Sequence, residues 1–245
     1  MPLSRDTTLL QGGVTNAVVD TALASYIALD PATVHQYFTD FDVFESGDWT
    51  ATGTHSPTNA LTAGNGGILA MANSTTSADL DQLTLVAASF AFTPGLGAWF
   101  KARFAVANAT NAMIAIGLQN LNTNAFGATD GIWFQKNGGV TTGNFIVSAS
   151  STATTSTQAV TMANNTYIDV GWYYDGGGGI NSGELQLFAN NGEIGHMSLA
   201  NLPASSTNLA VTIAVENGTA AGNTLSVDYI MAAMQRDVPS QVLLG

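Results

Sequence analysis

Gly97-Ala98-Trp99-Phe100-Lys101-Ala102-Arg103-Phe104-Ala105-Val106 is the stretch that decides the fold class. Its period is two: Phe100, Phe104 and Val106 fall on one side of an extended chain, and Trp99, Lys101 and Arg103 on the other. The alternation returns in residues 166–175, where Ile168, Val170, Trp172 and Tyr174 oppose Tyr167, Asp169, Gly171 and Tyr173. It returns again as Leu209, Val211, Ile213 and Val215, and as Leu225, Val227, Tyr229 and Met231. Shorter strands are expected at 67–72, 79–86, 112–118, 131–136, 143–149, 184–189 and 193–199.

Turn residues separate these runs: Asn137-Gly138-Gly139, the run from Asp175 to Gly179, Asn190-Asn191-Gly192 and Asn217-Gly218. The last two sit between alternating strands and predict hairpins. The Ser, Thr and Ala-rich stretch 148–157 predicts a loop or an edge strand. Many short strands without intervening helical patterns predict an all-β antiparallel sandwich of the jelly-roll type, over residues 37–236.

Residues 1–36 depart from the period of two. Val19, Leu23 and Ile27 recur at four-residue spacing, Asn16 is placed to cap them, and Pro31 to end them. This predicts an N-terminal arm, extended or a short helix, that orders against a partner through Val19, Leu23 and Ile27; a helix packing on its own domain is the other reading. Residues 237–245 read as a C-terminal tail.

Composition narrows the function classes. The chain has 245 residues, 46% hydrophobic but only 9% charged, with no Cys and a net charge of −12. An average soluble domain carries about 25% charged residues, so this surface is built from Thr, Asn, Ser, Gly and Gln. Five basic residues argue against nucleic acid, whose phosphates call for clustered Lys and Arg. The absence of Cys removes disulfides and thiolate metal sites. No apolar run approaches a spanning helix, and Met1-Pro2-Leu3-Ser4-Arg5-Asp6 lacks a charged segment leading into an apolar one. The expectation is a protein made and kept in a cytosol, without a membrane partner. The sequons at Asn73, Asn108, Asn164 and Asn217 then read as turn chemistry.

The residues resemble a known fold family. The strand Trp99-Phe100-Lys101-Ala102-Arg103-Phe104, the segment from Glu184 to Gly195 and the closing strand Leu225-Ser226-Val227-Asp228-Tyr229-Ile230 are similar to the concanavalin-A-like jelly roll. The order of several motifs over about residues 10 to 236 also resembles tailed-phage virion proteins. These motifs are Tyr37-Phe38-Thr39-Asp40-Phe41-Asp42, Asp48-Trp49-Thr50, the Trp99 to Phe104 strand, Gly117-Leu118-Gln119, the run from Asp130 to Lys136, Tyr173-Tyr174-Asp175-Gly176 and Val227-Asp228-Tyr229-Ile230. That resemblance implies a capsid decoration or cement protein, with the major capsid protein and copies of itself as partners, in a virion assembled in the host cytoplasm. It implies no catalytic residues.

Candidate chemistry is sparse. Concanavalin-A-like glucanases use a close carboxylate pair, and their Glu-x-Asp-x-x-Glu arrangement is absent. Glu184 and Glu216 lie on expected strands and read as solvated edge residues. His35, His55 and His196 adjoin no Gly-x-Ser-x-Gly elbow and have no zinc spacing; His35 is expected in the arm. Asp40-Phe41-Asp42 and Asp79-Leu80-Asp81 each place two carboxylates on one side of an extended chain. Two ligands are too few for calcium, so each pair reads as a solvated face. The sequence thus predicts no catalytic, cofactor-binding or metal-binding residues and no cofactor. Two functions stay open: a non-enzymatic virion structural protein, or a lectin-like adhesion domain in which Trp99, Trp133 and Tyr173 stack on a glycan. Packing of those three rings between sheets or against neighbours is the alternative to stacking on sugar.

Overall fold

The computed structural model describes residues 34–55, 58–63, 66–177 and 184–236. Val19, Leu23, Ile27 and the 237–245 tail lie outside them. The described residues form β1 (Val34–Thr39), β2 (Trp49–Gly53), β3 (Thr58–Thr62), β4 (Ile68–Ala72), β5 (Leu80–Leu85), β6 (Ala98–Val106), β7 (Ala112–Gln119) and β8 (Gly131–Lys136). They continue with β9 (Thr142–Ala149), β10 (Thr152–Thr161), β11 (Ile168–Tyr174), β12 (Glu184–Ala189), β13 (Gly192–Ser198), β14 (Ala210–Asn217) and β15 (Thr224–Gln235). The helical content of the described residues is two single 3-10 turns, Ser46–Asp48 and Ala125–Gly127.

Two antiparallel sheets result. The first runs β13-β12-β11-β6-β15-β4-β3, with β1 also on β15; the second runs β10-β9-β8-β7-β14-β5-β2. On one side of β15, Thr224–Val227 pairs with β4 and Ile230–Gln235 with β1. The strand β1 begins at Val34, so the boundary expected at residue 36 runs through a strand of the sandwich, and His35 belongs to that strand.

The alternating rows face each other between the sheets, as the period of two requires. Phe100, Phe104, Ile168, Val170 and Trp172 come from the first sheet; Ile114, Ile116, Phe134, Phe145, Val211 and Ile213 come from the second, and all are buried in one core. Phe104 and Phe134 meet across the two sheets at 6.1 Å between ring centroids, and Phe134 meets Phe145 edge-on at 5.5 Å. Each such side chain, fully buried, contributes about 1.5–3 kcal/mol by leaving water.

Two turn readings separate here. Asn190 and Asn191 both have positive φ, +49° and +65°, and close the β12–β13 hairpin as a two-residue turn of the primed type. Asn217-Gly218 is no hairpin. The strands on either side, β14 and β15, lie in different sheets, and the Asn217 amide donates to Ser74 O and Thr76 O instead of closing a local turn. Residues 148–157 include the start of β10, the outermost strand of the second sheet.

Candidate functional site

A cleft of mixed chemistry opens where β1 comes beside the β5–β2 edge of the second sheet. It has a volume of about 380 Å³, within the range of small-ligand pockets. His35, Gln36 and Tyr37 of β1 line it together with Gly47 and Asp48 of the 3-10 turn and Leu85, Val86, Ala87 and Ser89 at and after the end of β5. The local sequence explains the shape. The chain leaves β1 at Thr39, turns through Phe41 at φ +55°, and re-enters sheet structure at Trp49. The amide of Val86 donates to Asp48 O at 3.0 Å, which pins the turn against the end of β5.

Tyr37 packs edge-on against Trp49, with ring centroids 6.0 Å apart and planes at 82°. Burial, with the Asp48 carboxylate adding to it, pushes the Tyr37 hydroxyl up to about 12. The phenol is therefore a neutral donor throughout the physiological range. His35 Nε2 lies 3.0 Å from Ser89 Oγ, and its ring tilts over Phe90 at 4.9 Å. Burial and then the Arg236 charge hold its pKa below the ordinary value, so the ring is neutral at pH 7. Asp48 is exposed and supplies an acceptor. The cleft thus combines an aromatic ring, a neutral phenol and imidazole, an exposed carboxylate and the apolar side chains of Leu85 and Val86. The sequence reading grouped Tyr37 and Asp48 only as parts of an ordered motif; what joins them is the β1–β2 geometry, which no local pattern shows.

The three aromatics that the adhesion reading would turn toward a glycan do not share a face. Trp99 and Tyr173 lie on the outer face of the first sheet, stacked at 5.4 Å, in an apolar cluster with Val34, Phe188, Met231 and Ala233. Trp133 lies on the outer face of the second sheet. Trp99 is 2% exposed and Trp133 3%, so both indoles are packed. Trp133 is covered by the chain's own 120–130 segment: Gln82 Oε1 accepts from Ala125 N at 2.7 Å, Gln119 Nε2 donates to Ala125 O at 2.9 Å, and Ala125 and Phe126 pack on Trp133.

The carboxylates and histidines fall apart similarly. Glu184 points outward from the first sheet and Glu216 outward from the second, opposite to their inward neighbours Leu185 and Val215, so the core separates them. On the outer face of the first sheet, Asp228 bonds Arg103, and Asp169 accepts from the Tyr229 hydroxyl. Among the described residues no group of three or more His, Cys, Asp or Glu is placed to hold a metal ion. His196 Nε2 sits 3.0 Å from Glu193, and His55 is 3.8 Å from Asp79.

The Asp79-Leu80-Asp81 pair is not a solvated face. Both carboxylates are fully buried, because β5 turns its odd-numbered residues inward and the row Asp79, Asp81, Leu83, Leu85 lies between the sheets. Burial pushes the Asp81 carboxyl up to about 6, against the lowering effect of its bond from Asn59 and with a further rise from Asp79.

No protein-family model matches this chain, and no curated protein sequence does. Solved structures do match. A protein of unknown function, SO2946, from Shewanella oneidensis MR-1 shares 13% identity and a TM-score of 0.58, over 87% of this chain and 92% of that one. The carbohydrate recognition domain of Emp46p, in its potassium-bound form, shares 9% identity and a TM-score of 0.54, over 80% and 94%. An endo-1,3-β-glucanase from Streptomyces sioyaensis shares 14% identity and a TM-score of 0.59, over 85% and 99%. The fold is a concanavalin-A-like jelly roll. Identities this low establish the frame and leave the chemistry to the site. None of these three neighbours is described as a capsid or cement protein.

Proposed function

We propose that this concanavalin-A-like domain binds carbohydrate without hydrolysing it, and takes the sugar in the cleft between Tyr37 and Asp48. The observation that carries the reading is the composition of that cleft. Saccharides present apolar C–H faces to aromatic rings and hydroxyls to neutral polar groups and carboxylates, and Tyr37, His35 and Asp48 supply those partners around one opening. The Emp46p domain, a carbohydrate recognition domain on the same frame, supports it by analogy of fold. The separation of Glu184 from Glu216 supports binding without glycosidic cleavage, since a retaining or inverting mechanism needs its two carboxyl groups within about 5–10 Å across the sugar. A glycan array probed with the full chain, and with Tyr37→Ala beside it, tests the proposal. Binding to a defined glycan class that the variant loses is expected; uniform absence of binding by the native chain refutes it.

A further inference from the structure

At the end of the sandwich reached by Gly53 of β2, the apolar filling between the sheets gives way to a plug of polar side chains. Asp81 enters it from β5 and Asp79 from just before β5, Asn217 from β14, Asn59 from β3, and Asn73 from just beyond β4. Asp79, Asp81 and Asn217 are 0%, 0% and 1% exposed. The bonds within the plug leave a consistent remainder. Asn59 Nδ2 donates to Asp81 Oδ1 at 3.1 Å. Asn73 Nδ2 donates to Asp79 O and to Val215 O, and Asn217 Nδ2 to Ser74 O and Thr76 O. Every amide nitrogen faces an acceptor, so none of the three amides can be turned over. What remains buried without a partner is oxygen in each case: Asp81 Oδ2, Asn59 Oδ1, Asn73 Oδ1 and Asn217 Oδ1.

Charge sharpens the requirement. Asp79 has its oxygens occupied by Ser74 N at 2.6 Å and Thr54 Oγ1 at 3.2 Å. Among the described residues neither buried aspartate has a Lys or Arg partner; the half-exposed His55, 3.8 Å from Asp79, is the nearest base. Water would satisfy the amide oxygens but would leave two buried carboxylates uncompensated, an arrangement that folded proteins avoid. We infer that the plug holds a hard metal cation of the calcium class, with Asp81 Oδ2 and Asn59 Oδ1 as its side-chain ligands. Asn73 and Asn217 offer further oxygens in the same plug, and water completes the shell, as oxygen-only coordination of this class allows. The cation neutralises the Asp79–Asp81 pair and ties β3, at the edge of the first sheet, to β5 of the second. This site lies at the opposite end of β2 from the Tyr37–Asp48 cleft and does not depend on what that cleft binds.

The test uses the full chain, stripped with EDTA and dialysed, at pH 7.5. Calcium chloride is titrated by calorimetry, and thermal midpoints are recorded with and without it, for the native chain, Asp81→Asn and Asn59→Asp. One calcium per chain is expected, with a midpoint rise of about 5 °C when calcium is about a hundredfold above its dissociation constant. Asp81→Asn should abolish both effects, and Asn59→Asp, which adds a charged ligand, should tighten binding by about tenfold. Should Asp81→Asn fail to fold, the Asn59→Asp affinity decides, and an unchanged value overturns the site. Equal calcium effects in the native chain and Asp81→Asn mean adventitious binding to an acidic surface and overturn it. Absence of any calcium effect also overturns it. In that case, a calcium-free midpoint that rises from pH 7 to pH 5 identifies a proton shared between Asp81 and Asn59 as the missing partner.

Discussion

Trp133 lies across from Gly117 in the β8–β7 pair, so close that a Cβ on Gly117 would stand 2.5 Å from the Trp133 Cβ. The missing side chain makes the seat on which the indole rests, with Ala115 and Ala214 beside it in the same cluster. The 120–130 segment then closes over the ring. Gly117→Val should therefore lower stability by about 1–3 kcal/mol or more, as an overpacked site without room to relax. Urea unfolding monitored by tryptophan fluorescence checks this, and the native emission maximum of the variant should move to the red as Trp133 is displaced.

Trp172 anchors the other half of the core. It is fully buried, stacked over Phe100 at 6.0 Å and 17°, and met by Phe92 at 5.7 Å. Trp172→Ala should cost about 3–5 kcal/mol. An unchanged midpoint of urea unfolding would mean that the inward row of β11 is misassigned.

Lys136 gives a pH dependence with a definite sign. Its side chain is fully buried on the inward side of β8, where its ammonium donates to the carbonyls of Thr110 and Ala112. Burial pulls its pKa down to about 8, from an ordinary value of 10.5. Between those values the unfolded chain binds the proton that the folded chain has released, so this group's contribution to stability rises with pH. Measured against Lys136→Met, native stability should improve by about 2 kcal/mol from pH 7 to pH 9.5. Denaturant titrations of both proteins at the two pH values give the difference directly; a constant difference would show that Lys136 titrates normally.

Most of the fold was legible because alternation survives wherever one face of a strand meets the core. β6, β11, β14 and β15 were readable from their apolar rows, and Asn190-Asn191-Gly192 from the tolerance of Asn for positive φ. Asn217-Gly218 was not, since a two-residue signal cannot show that the chain is changing sheets; that is decided by distant carbonyls at Ser74 and Thr76. β5 misled for a related reason. Its inward row begins with Asp79 and Asp81 and turns apolar only at Leu83, while Leu80 on the other face is covered by the Trp133 cluster. The cleft was the least legible part. Tyr37 and Asp48 are brought together by β1 pairing with β15 at the far end of the sequence, a contact without a local signature.

The carbohydrate-binding reading makes a second demand, that the cleft and the packed indoles be separable. Trp133→Phe should reduce stability while leaving glycan affinity within about twofold. Asp48→Asn should leave stability within about 0.5 kcal/mol, as expected of an exposed surface change. Thermal midpoints and array signals on the same preparations check both.

The most direct measurement is isothermal titration of the full chain with the glycan that scores highest on the array, alongside Tyr37→Ala and Asp48→Asn. Saturable binding by the native chain is expected, with an affinity loss of about tenfold or more in each variant, the scale of removing a central contact. Native-like affinity in both variants would place the sugar elsewhere on the jelly roll and refute the Tyr37–Asp48 cleft as its site.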